Sequence, residues 1–297
     1  LERLTHDGEA RTETTLEEAL ELLADLPDAE PLAGNQSLAI LMSSRLATPD
    51  HLVDINGLDE LQFGDADAET VEVGAMVRHR DIEQSEALAE AVPLLPAAAE
   101  QIAGPVVRNR GTIGGSIGEA DPAGNYPCAV AALGGEIELA STDGSRSVPA
   151  EDYFIAYMFT DLEEEELITG VTVPREPFPP ARTGMAFLGV KEAAQTWPTI
   201  SVAGVVRVDD PTGADPVVED ARLAFANAAE VPLRVETAER EVEGEPLSDA
   251  ALDRAGEIAY DGVDPQGEAH AEETYKRELA TEYTKRALRR AHEGAVG

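Results

Sequence analysis

Lysine and cysteine are the residues that this chain most lacks, and each scarcity excludes a class of chemistry. Of the 297 residues only three are lysines, at positions 191, 276 and 285. The single cysteine, Cys128, cannot form an intramolecular disulfide, nor can it supply the four thiolates that an iron–sulfur cluster typically takes. The five histidines are scattered without the spacing of a zinc site. Any metal-centre chemistry must therefore belong to another chain.

Long apolar runs are also missing. No window approaches the roughly 20 uninterrupted apolar residues of a membrane span. The N-terminal segment LERLTHDGEARTE contains no apolar signal segment. The hydrophobic fraction of 43% is ordinary for globular proteins. We therefore expect a soluble cytoplasmic protein without a membrane span, long enough for about two domains.

What is abundant is negative charge. The chain has 59 acidic and 22 basic residues, a net charge of −37, and the acidic residues are spread along its whole length. Nucleic acid is excluded as a partner, because binding it requires Lys and Arg to neutralise phosphates. Repulsion at this charge density is screened near 1 M salt, where the Debye length is about 3 Å. The composition is typical of a halophilic cytoplasmic protein that loosens at low salt, and a merely acidic mesophilic protein is the alternative.

Local patterns predict both helices and strands in the first part of the chain. TTLEEALELLADLP predicts a helix with a capping box of Thr15 and Glu18. The region from AEPL through a Gly-Asn turn and a helical piece to HLVDI is βαβ-like. LQF and TVEVGAMV predict strands, and the alanine-rich run that follows predicts two or three helical pieces broken by Pro93 and Pro96. YPCAVAAL predicts a short helix, and GEIELAS, SRSVPAED and ELITGVTVP predict strands.

A proline-rich linker, PREPFPPAR at 174–182, ends this part. After it, MAFLGVKEA, TISVAGVVRV and VEDARLAFANA predict three antiparallel strands. Helices are predicted at about 234–243, 248–260 and 271–293. The predicted organisation is an N-terminal lobe at 1–60, a second lobe at 61–175 and a C-terminal domain at 182–297.

Two glycine turns hold the most informative chemistry. We define the first turn as residues 33–37, AGNQS, and the second turn as residues 110–116, RGTIGGS. Glycine allows a ligand to lie against backbone amides, and Asn35 tolerates the left-handed backbone. Neither turn has the GxGxxG spacing or a Walker lysine. The second turn alone is as consistent with a tight structural turn, whereas the pair predicts a site that holds both phosphates of one pyrophosphate.

The two turns and their surroundings also resemble a known family. AGNQSLAILMSSRLATPDHLVDINGL and VRNRGTIGGSIGEADPAGNYPCAVAALGGEIEL are similar to the FAD-binding medium subunit of the molybdenum hydroxylases, which include carbon monoxide dehydrogenase and xanthine dehydrogenase. VVEDARLAFANAAEVPLR and TYKRELATEYTKRALRRA resemble that family's second domain. The implied fold class is α+β, with a two-lobed FAD-binding domain of the vanillyl-alcohol-oxidase (PCMH) type. A small α+β domain with a three-stranded antiparallel sheet and helices would follow it.

The resemblance implies FAD as the cofactor and assigns residues to it. The residues that would form the pyrophosphate clamp are Ala33, Gly34, Asn35, Gln36, Ser37, Thr112, Ile113, Gly114, Gly115 and Ser116. Those that would approach the ribityl chain or the flavin ring are Asp121, Asn125, Leu167, Ile168, Lys191 and Trp197. Trp197 could instead be interdomain core.

Some positions depart from the family pattern. Asn35 replaces a glycine, Ser116 replaces an asparagine, and Gly189 stands where some relatives have lysine, which leaves Lys191 as the nearest one. A lysine near the flavin would stabilise its reduced form, so this last departure bears on the redox potential.

The implied function is electron transfer, since no constellation of catalytic or metal-ligating residues is found. Electrons would pass from a large molybdopterin-binding subunit through the [2Fe-2S] clusters of a small subunit to FAD, and leave to a quinone, NAD or oxygen. The assembly would be a heterotrimer or a dimer of heterotrimers. The alternatives are a free-standing FAD-dependent oxidoreductase of the same superfold and a flavin-free assembly or binding protein.

Four features have alternative interpretations. Arg108 and Arg110 could contact phosphate or pair with carboxylates. Cys128 is expected to be a buried small hydrophobe. The acidic run 163–166 is expected to be a solvated face, and His79 has no partner that the sequence identifies.

Overall fold

The computed structural model describes residues 15–67 and 69–297, so the segment LERLTHDGEARTE lies outside the described residues. The first lobe comprises α1 (Leu16–Asp25), β1 (Ala29–Leu32), α2 (Leu38–Ser43) and β2 (His51–Asp54). Thr15 begins α1 by accepting a hydrogen bond from the Glu18 amide at 3.2 Å. β1 and β2 pair in parallel across α2, which confirms the βαβ prediction.

The second lobe is built on a five-stranded antiparallel sheet, whose strands in spatial order are β3 (Gly64–Ala66), β4 (Thr70–Gly74), β9 (Leu167–Pro174), β5 (Glu136–Ser141) and β6 (Gly144–Pro149). Its helices are α3 (His79–Glu83), α4 (Glu86–Ala91), α5 (Leu94–Glu100), α6 (Pro105–Arg108), α7 (Ile113–Glu119), α8 (Asn125–Leu133) and α9 (Ala150–Tyr153). Two further strands, β7 (Phe154–Ala156) and β8 (Phe159–Thr160), pair with each other in an antiparallel hairpin. Every residue of α8 is buried, because NYPCAVAAL is apolar on nearly all sides.

Three local predictions in this lobe are wrong. LQF is not a strand: a 3-10 helix, Asp59–Leu61, precedes β3. Pro96 does not break a helix, because it lies in the first turn of α5, where the missing N–H is unpaired in any case. In the run 163–166, Glu166 is only 9% exposed and forms an ion pair with Arg146 at 2.6 Å. The run is therefore not uniformly solvated.

The C-terminal domain is an antiparallel sheet with helices. It contains β10 (Thr183–Lys191), β11 (Pro198–Val208), β12 (Val218–Ala226), β13 (Leu233–Arg234), α10 (Glu236–Arg240), α11 (Asp249–Gly262) and α12 (Glu273–Ala295). The strand order is β10-β11-β12-β13, so a short fourth strand extends the three that the sequence predicts. The three predicted helices are found.

The C-terminal sheet has a hydrophobic core on each face. Ala203, Val205 and Ala224 belong to the core of the second lobe, whereas Val202, Val206 and Leu223 belong to a core shared with α11 and α12. This division follows from the alternation of side chains along a strand.

The proline-rich linker is fixed in place: Phe178 is buried in the core of the second lobe, and the Arg175 amide donates a hydrogen bond to the Glu69 carbonyl at 2.7 Å. Across the described ranges, the helices are too short or too polar to cross a membrane.

Candidate FAD site

The two glycine turns lie against each other. A Cβ atom added to Gly34 would lie 2.7 Å from the Gly111 Cα and closer still to the Arg110 carbonyl oxygen. Real Cβ contacts of this length essentially do not occur, so a side chain at position 34 would force the turns apart. Glycine is therefore required at position 34 because backbone atoms of Arg110 and Gly111 occupy the space of a side chain.

The first turn leaves backbone donors available. Asn35 has a φ of 56°, in the left-handed region that asparagine tolerates. The Gln36 side chain donates to the Gly34 carbonyl at 2.8 Å, which closes the turn. Among the residues that the structure describes, the backbone amides of Asn35, Gln36 and Ser37 have no hydrogen-bond acceptor. The Asn35 Oδ1 atom is buried and also has no partner there.

The backbone amides of the second turn already donate hydrogen bonds within the protein. The Ile113 amide donates to the Val77 carbonyl at 3.1 Å, and the Gly114 amide donates to the Ala75 carbonyl at 2.9 Å. The Thr112 hydroxyl caps α7 by accepting from the Gly115 amide at 3.1 Å. The loop after β4 therefore occupies the amides of Ile113 and Gly114.

Gly114 and Gly115 differ in what faces them. A Cβ at Gly114 would lie 2.6 Å from the Ala75 Cβ, so this glycine permits α7 to pack on the segment after β4. A Cβ at Gly115 would meet only the Thr112 Oγ1, at 2.9 Å, and Gly115 is exposed. Gly118, one turn later, is exposed as well. The open face of α7 is thus bare backbone, which permits close approach of a ligand.

Two residues that the sequence analysis missed hold the turns together. Asn56, after β2, donates to the carbonyls of Leu32 and Ala33, each at 2.9 Å. Arg78 donates to the Asn56 Oδ1 at 2.8 Å and also to the Arg110 carbonyl. The sequence signal for them was weak, an Asn directly after a strand and an Arg before α3.

A polar cleft of about 250 Å³ lies at this junction of the turns. It is lined by Asp54, Asn56, Arg78, Asn109 and Arg110. Burial, and then the nearby Arg110, lower the pKa of Arg78 from its usual value.

His79 packs against the second turn on the side of Gly111. Its amide donates to the Gly111 carbonyl at 3.0 Å, and its ring packs against Tyr126 with 5.2 Å between centroids. A Cβ at Gly111 would lie 2.5 Å from the His79 Nε2. Burial, then Arg78 and Arg108, lower the pKa of His79 to about 4, so the ring is neutral at pH 7.

The tail of the second turn contains a further unpartnered oxygen. Asn125 is buried, and its Nδ2 donates to the Ala98 carbonyl at 3.0 Å, while its Oδ1 has no partner among the described residues. The Asp121 carboxylate accepts from the Ala123 amide at 2.8 Å. Burial, and then the nearby Glu268, raise the pKa of Asp121. Burial also raises the pKa of Glu119, an effect that the neighbouring Ser37 hydroxyl opposes.

Of the other residues expected to approach the flavin ring, not all lie beside the two turns. Ile168 approaches the open face of α7, with its Cδ1 3.2 Å from a Cβ placed on Gly118, but Leu167 is buried in the core of the first lobe. The Lys191 ammonium donates to the Gln101 carbonyl, and burial and then Arg108 lower its pKa. Trp197 is 55% exposed between β10 and β11, so the interpretation as interdomain core is wrong.

Two of the alternatives left open by the sequence are resolved. Arg108 pairs with Glu83 at 2.8 Å and donates to the Ile102 carbonyl, so it forms carboxylate and backbone contacts, whereas Arg110 is exposed. Cys128 is buried and burial raises the pKa of its thiol, which confirms the small-hydrophobe interpretation.

These features fit a flavin dinucleotide. The first turn offers amide donors for an anion, and the open face of α7 offers bare backbone. In addition, two buried side-chain amide oxygens, on Asn35 and Asn125, have no hydrogen-bond donor among the described residues. Buried polar groups in native folds are usually hydrogen-bonded, so both oxygens are available to accept a bond from a ligand.

Comparison with known proteins decides the family. Residues 10–176 match the model of the FAD binding domain in molybdopterin dehydrogenase, and residues 186–291 match the CO dehydrogenase flavoprotein C-terminal domain. The chain belongs to the FAD-binding medium chains of the CO dehydrogenase and xanthine dehydrogenase family. It is an oxidoreductase subunit with FAD as its cofactor, and its fold is a PCMH-type FAD-binding domain followed by a CO dehydrogenase flavoprotein C-terminal domain.

Individual family members match over nearly their whole length. The carbon monoxide dehydrogenase medium chain of Hydrogenophaga pseudoflava is 35% identical over 92% of this chain and 93% of its own. The glyceraldehyde dehydrogenase medium chain of Sulfolobus acidocaldarius is 32% identical over 93% and 95%. The solved carbon monoxide dehydrogenase of H. pseudoflava, in a form that lacks the Mo-pyranopterin moiety, superposes with a TM-score of 0.90 over 96% of this chain and 97% of that one.

Proposed function

We propose that this chain is the electron-transferring FAD subunit of a molybdenum-containing hydroxylase complex. Its partners would be a large molybdopterin-binding subunit and a small subunit with two [2Fe-2S] clusters, in a heterotrimer or a dimer of heterotrimers. Substrate would be oxidised in the large subunit, and electrons would reach this chain through the small subunit and leave to a quinone, NAD or oxygen. When bound, FAD supplies a redox centre for this transfer.

The observation that carries the proposal is the contact between the two glycine turns. Gly34 lies on the backbone of Arg110 and Gly111, and the Asn56 and Arg78 side chains join the carbonyls of both turns. The chain thus presents the free amides of the first turn and the open face of α7 side by side. We assign the pyrophosphate to the amides of 35–37 and the Ser116 hydroxyl, and the ribityl chain to Asp121 and Asn125.

The chain's own composition supports a division of labour between subunits. Its one cysteine is buried, and within 15–67 and 69–297 no cluster of three or more His, Cys, Asp or Glu side chains could hold a metal ion. Metal centres of a hydroxylase would then lie in the partner subunits. We also place the protein in the cytoplasm of a halophile, on the basis of its net charge of −37.

The first test is the visible spectrum of the full chain purified in high salt. We expect flavin absorption bands and the release of one FAD per chain on denaturation. A colourless protein that takes up no added FAD would contradict the proposal. Dialysis of the same sample to low salt is expected to lower its melting temperature, and an unchanged melting temperature would contradict the halophilic assignment.

The second test addresses the partners. Genes encoded beside this one would be co-expressed with an affinity tag on this chain alone. We expect a cysteine-rich subunit with the absorption of [2Fe-2S] clusters and a larger molybdenum-containing subunit to co-elute in equal amounts. A flavin-loaded chain that elutes alone and reduces an acceptor with its own substrate would instead favour the free-standing oxidoreductase.

A further inference from the structure

Asn227, in the C-terminal domain, forms hydrogen bonds to two segments assigned to the flavin. It directly follows β12 and has a φ of 59°, in the left-handed region. Its backbone amide donates to the Pro122 carbonyl at 2.6 Å, and its side-chain Nδ2 donates to the Pro198 carbonyl at 2.9 Å. Pro122 directly follows Asp121, and Pro198 directly follows Trp197. One residue therefore connects the segment of Asp121, in the second lobe, to the segment of Trp197, in the C-terminal domain.

The Asn227 side chain is itself held by an ion pair between the buried Lys276 and the partly exposed Glu268. Its Nδ2 donates to the Glu268 Oε1 at 2.6 Å, and the Lys276 ammonium donates to the same oxygen at 2.5 Å. Lys276 is fully buried, and its ammonium also lies 3.3 Å from the Asn227 carbonyl oxygen. A buried ammonium without a counter-charge is strongly unfavourable, so Lys276 requires Glu268 in this position.

The charge of Glu268 is also maintained from several sides. Burial by itself would raise its pKa, but hydrogen bonds from Lys276 and Asn227 hold the pKa of this carboxyl below its usual value. His270 contributes in the same direction, with its Nε2 3.4 Å from the Glu268 Oε2. The carboxylate therefore stays ionised and remains a fixed acceptor for the Asn227 amide.

We propose that Asn227 is a positioning residue that, with Glu268 and Lys276, sets the distance between Asp121 and Trp197 and so fixes the flavin site across the domain boundary. The inference rests on the proposed assignment of these two residues to the flavin. The side chain is the critical part, because the bond from the backbone amide to Pro122 does not depend on residue type. The hydrogen bonds to Pro198 and Glu268, by contrast, both come from the side-chain Nδ2 of Asn227 and are lost when that amide group is removed.

The substitution Asn227→Gly separates the contribution of the side chain from that of the backbone amide. Glycine adopts the left-handed backbone without strain, so the fold and the bond to Pro122 are expected to remain. The Pro198 carbonyl and Glu268 each lose a donor. The matched control is Met158→Gly, at an exposed left-handed residue with a φ of 50° in the turn between β7 and β8, away from this network.

Trp197 is the sole tryptophan, so its fluorescence reports the site directly. In the full chain we expect FAD to quench Trp197 emission, and in Asn227→Gly we expect weaker quenching, an altered visible circular dichroism of the flavin and a roughly tenfold higher dissociation constant for FAD. Melting temperatures of the apo forms are measured alongside. The control variant should match the unsubstituted chain in every readout.

The outcomes separate this inference from the proposed function. Unchanged quenching, circular dichroism and affinity in a folded Asn227→Gly variant would overturn the positioning role. A lower melting temperature with unchanged flavin signals would overturn it too, because it would assign Asn227 to stability alone. If the unsubstituted chain fails to bind FAD, the proposed function itself is wrong.

Discussion

The two glycine turns look alike in sequence but differ in what their backbones do. In the first turn, the amides of Asn35, Gln36 and Ser37 have no acceptor among the described residues. In the second turn, the amides of Ile113 and Gly114 bond to the carbonyls of Val77 and Ala75. The first turn is therefore a donor surface, and the second is a tightly anchored support with one bare face.

The difference shows that a glycine-rich motif can be rich in glycine for more than one reason. Gly34, Gly111 and Gly114 make room for other parts of the protein, namely the facing turn, the His79 ring and Ala75. At Gly115 only the Thr112 hydroxyl is near, and the residue is exposed. Of these four glycines, Gly115 is thus the one whose missing side chain leaves open space for a ligand.

The largest effect is expected from Gly34→Val, which removes the contact between the turns. Its side chain would meet the Arg110 carbonyl and Gly111, and overpacking of this kind typically costs about 1–3 kcal/mol of unfolding free energy. We expect loss of FAD together with a lower unfolding midpoint in denaturant titrations. Gly64→Val is the control, since nothing lies within 4 Å of a Cβ there. Full flavin content in Gly34→Val would refute the contact as a requirement.

A pair of neighbouring substitutions sharpens the comparison within the second turn. Gly115→Val is expected to abolish FAD retention with a smaller loss of unfolding free energy than Gly114→Val, because its side chain enters the open face and its Cβ meets only the Thr112 hydroxyl. Gly114→Val should instead destabilise the apo protein, because of the clash with Ala75. Flavin content and apo stability are measured on both. Equal behaviour of the two variants would mean that the open face has no role in binding.

At neutral pH the smallest effect is expected at His79, which contacts the second turn and whose contribution to stability changes only as the pH falls. Burial and two arginines lower its pKa from 6.5 to about 4 in the folded chain. As the pH falls below 6.5 the unfolded chain therefore takes up this proton first, and stability is lost between 6.5 and about 4, at up to about 1.4 kcal/mol per pH unit.

Denaturant titrations of the unsubstituted chain and of His79→Gln at pH 7.5 and 5 measure this contribution. The variant should lose less stability between the two pH values, since it has no imidazole to protonate. An equal loss in both proteins would show that other groups account for the acid sensitivity.

Much of the fold was accessible from local patterns. The N-cap at Thr15, the parallel pairing of β1 with β2, and the three long strands of the C-terminal sheet follow from side-chain periodicity and turn chemistry, which are local properties. The errors lie where tertiary contacts override local preference. Pro96 sits within a helix turn that tolerates it, and Glu166 is drawn into burial by Arg146, which lies 20 residues away in the chain.

The candidate site was predicted less completely. Sequence motifs located both turns and the segment of Asp121, but not Asn56, Arg78 or Asn227, which connect them. These residues act through contacts with carbonyl groups distant in sequence, and a carbonyl is present at every position, so no residue pattern marks its partner.

The sequence by itself determined the class of molecule: a strongly acidic chain with one cysteine, two glycine turns and the motifs of a FAD-binding medium chain. Only the tertiary structure decided which glycines face protein and which face open space, and which amides are free. The physical reason is that hydrogen bonding saturates. An amide that meets a carbonyl such as Ala75 has no bond left for a ligand, and that meeting depends on how β4, α7 and the first lobe are placed in space.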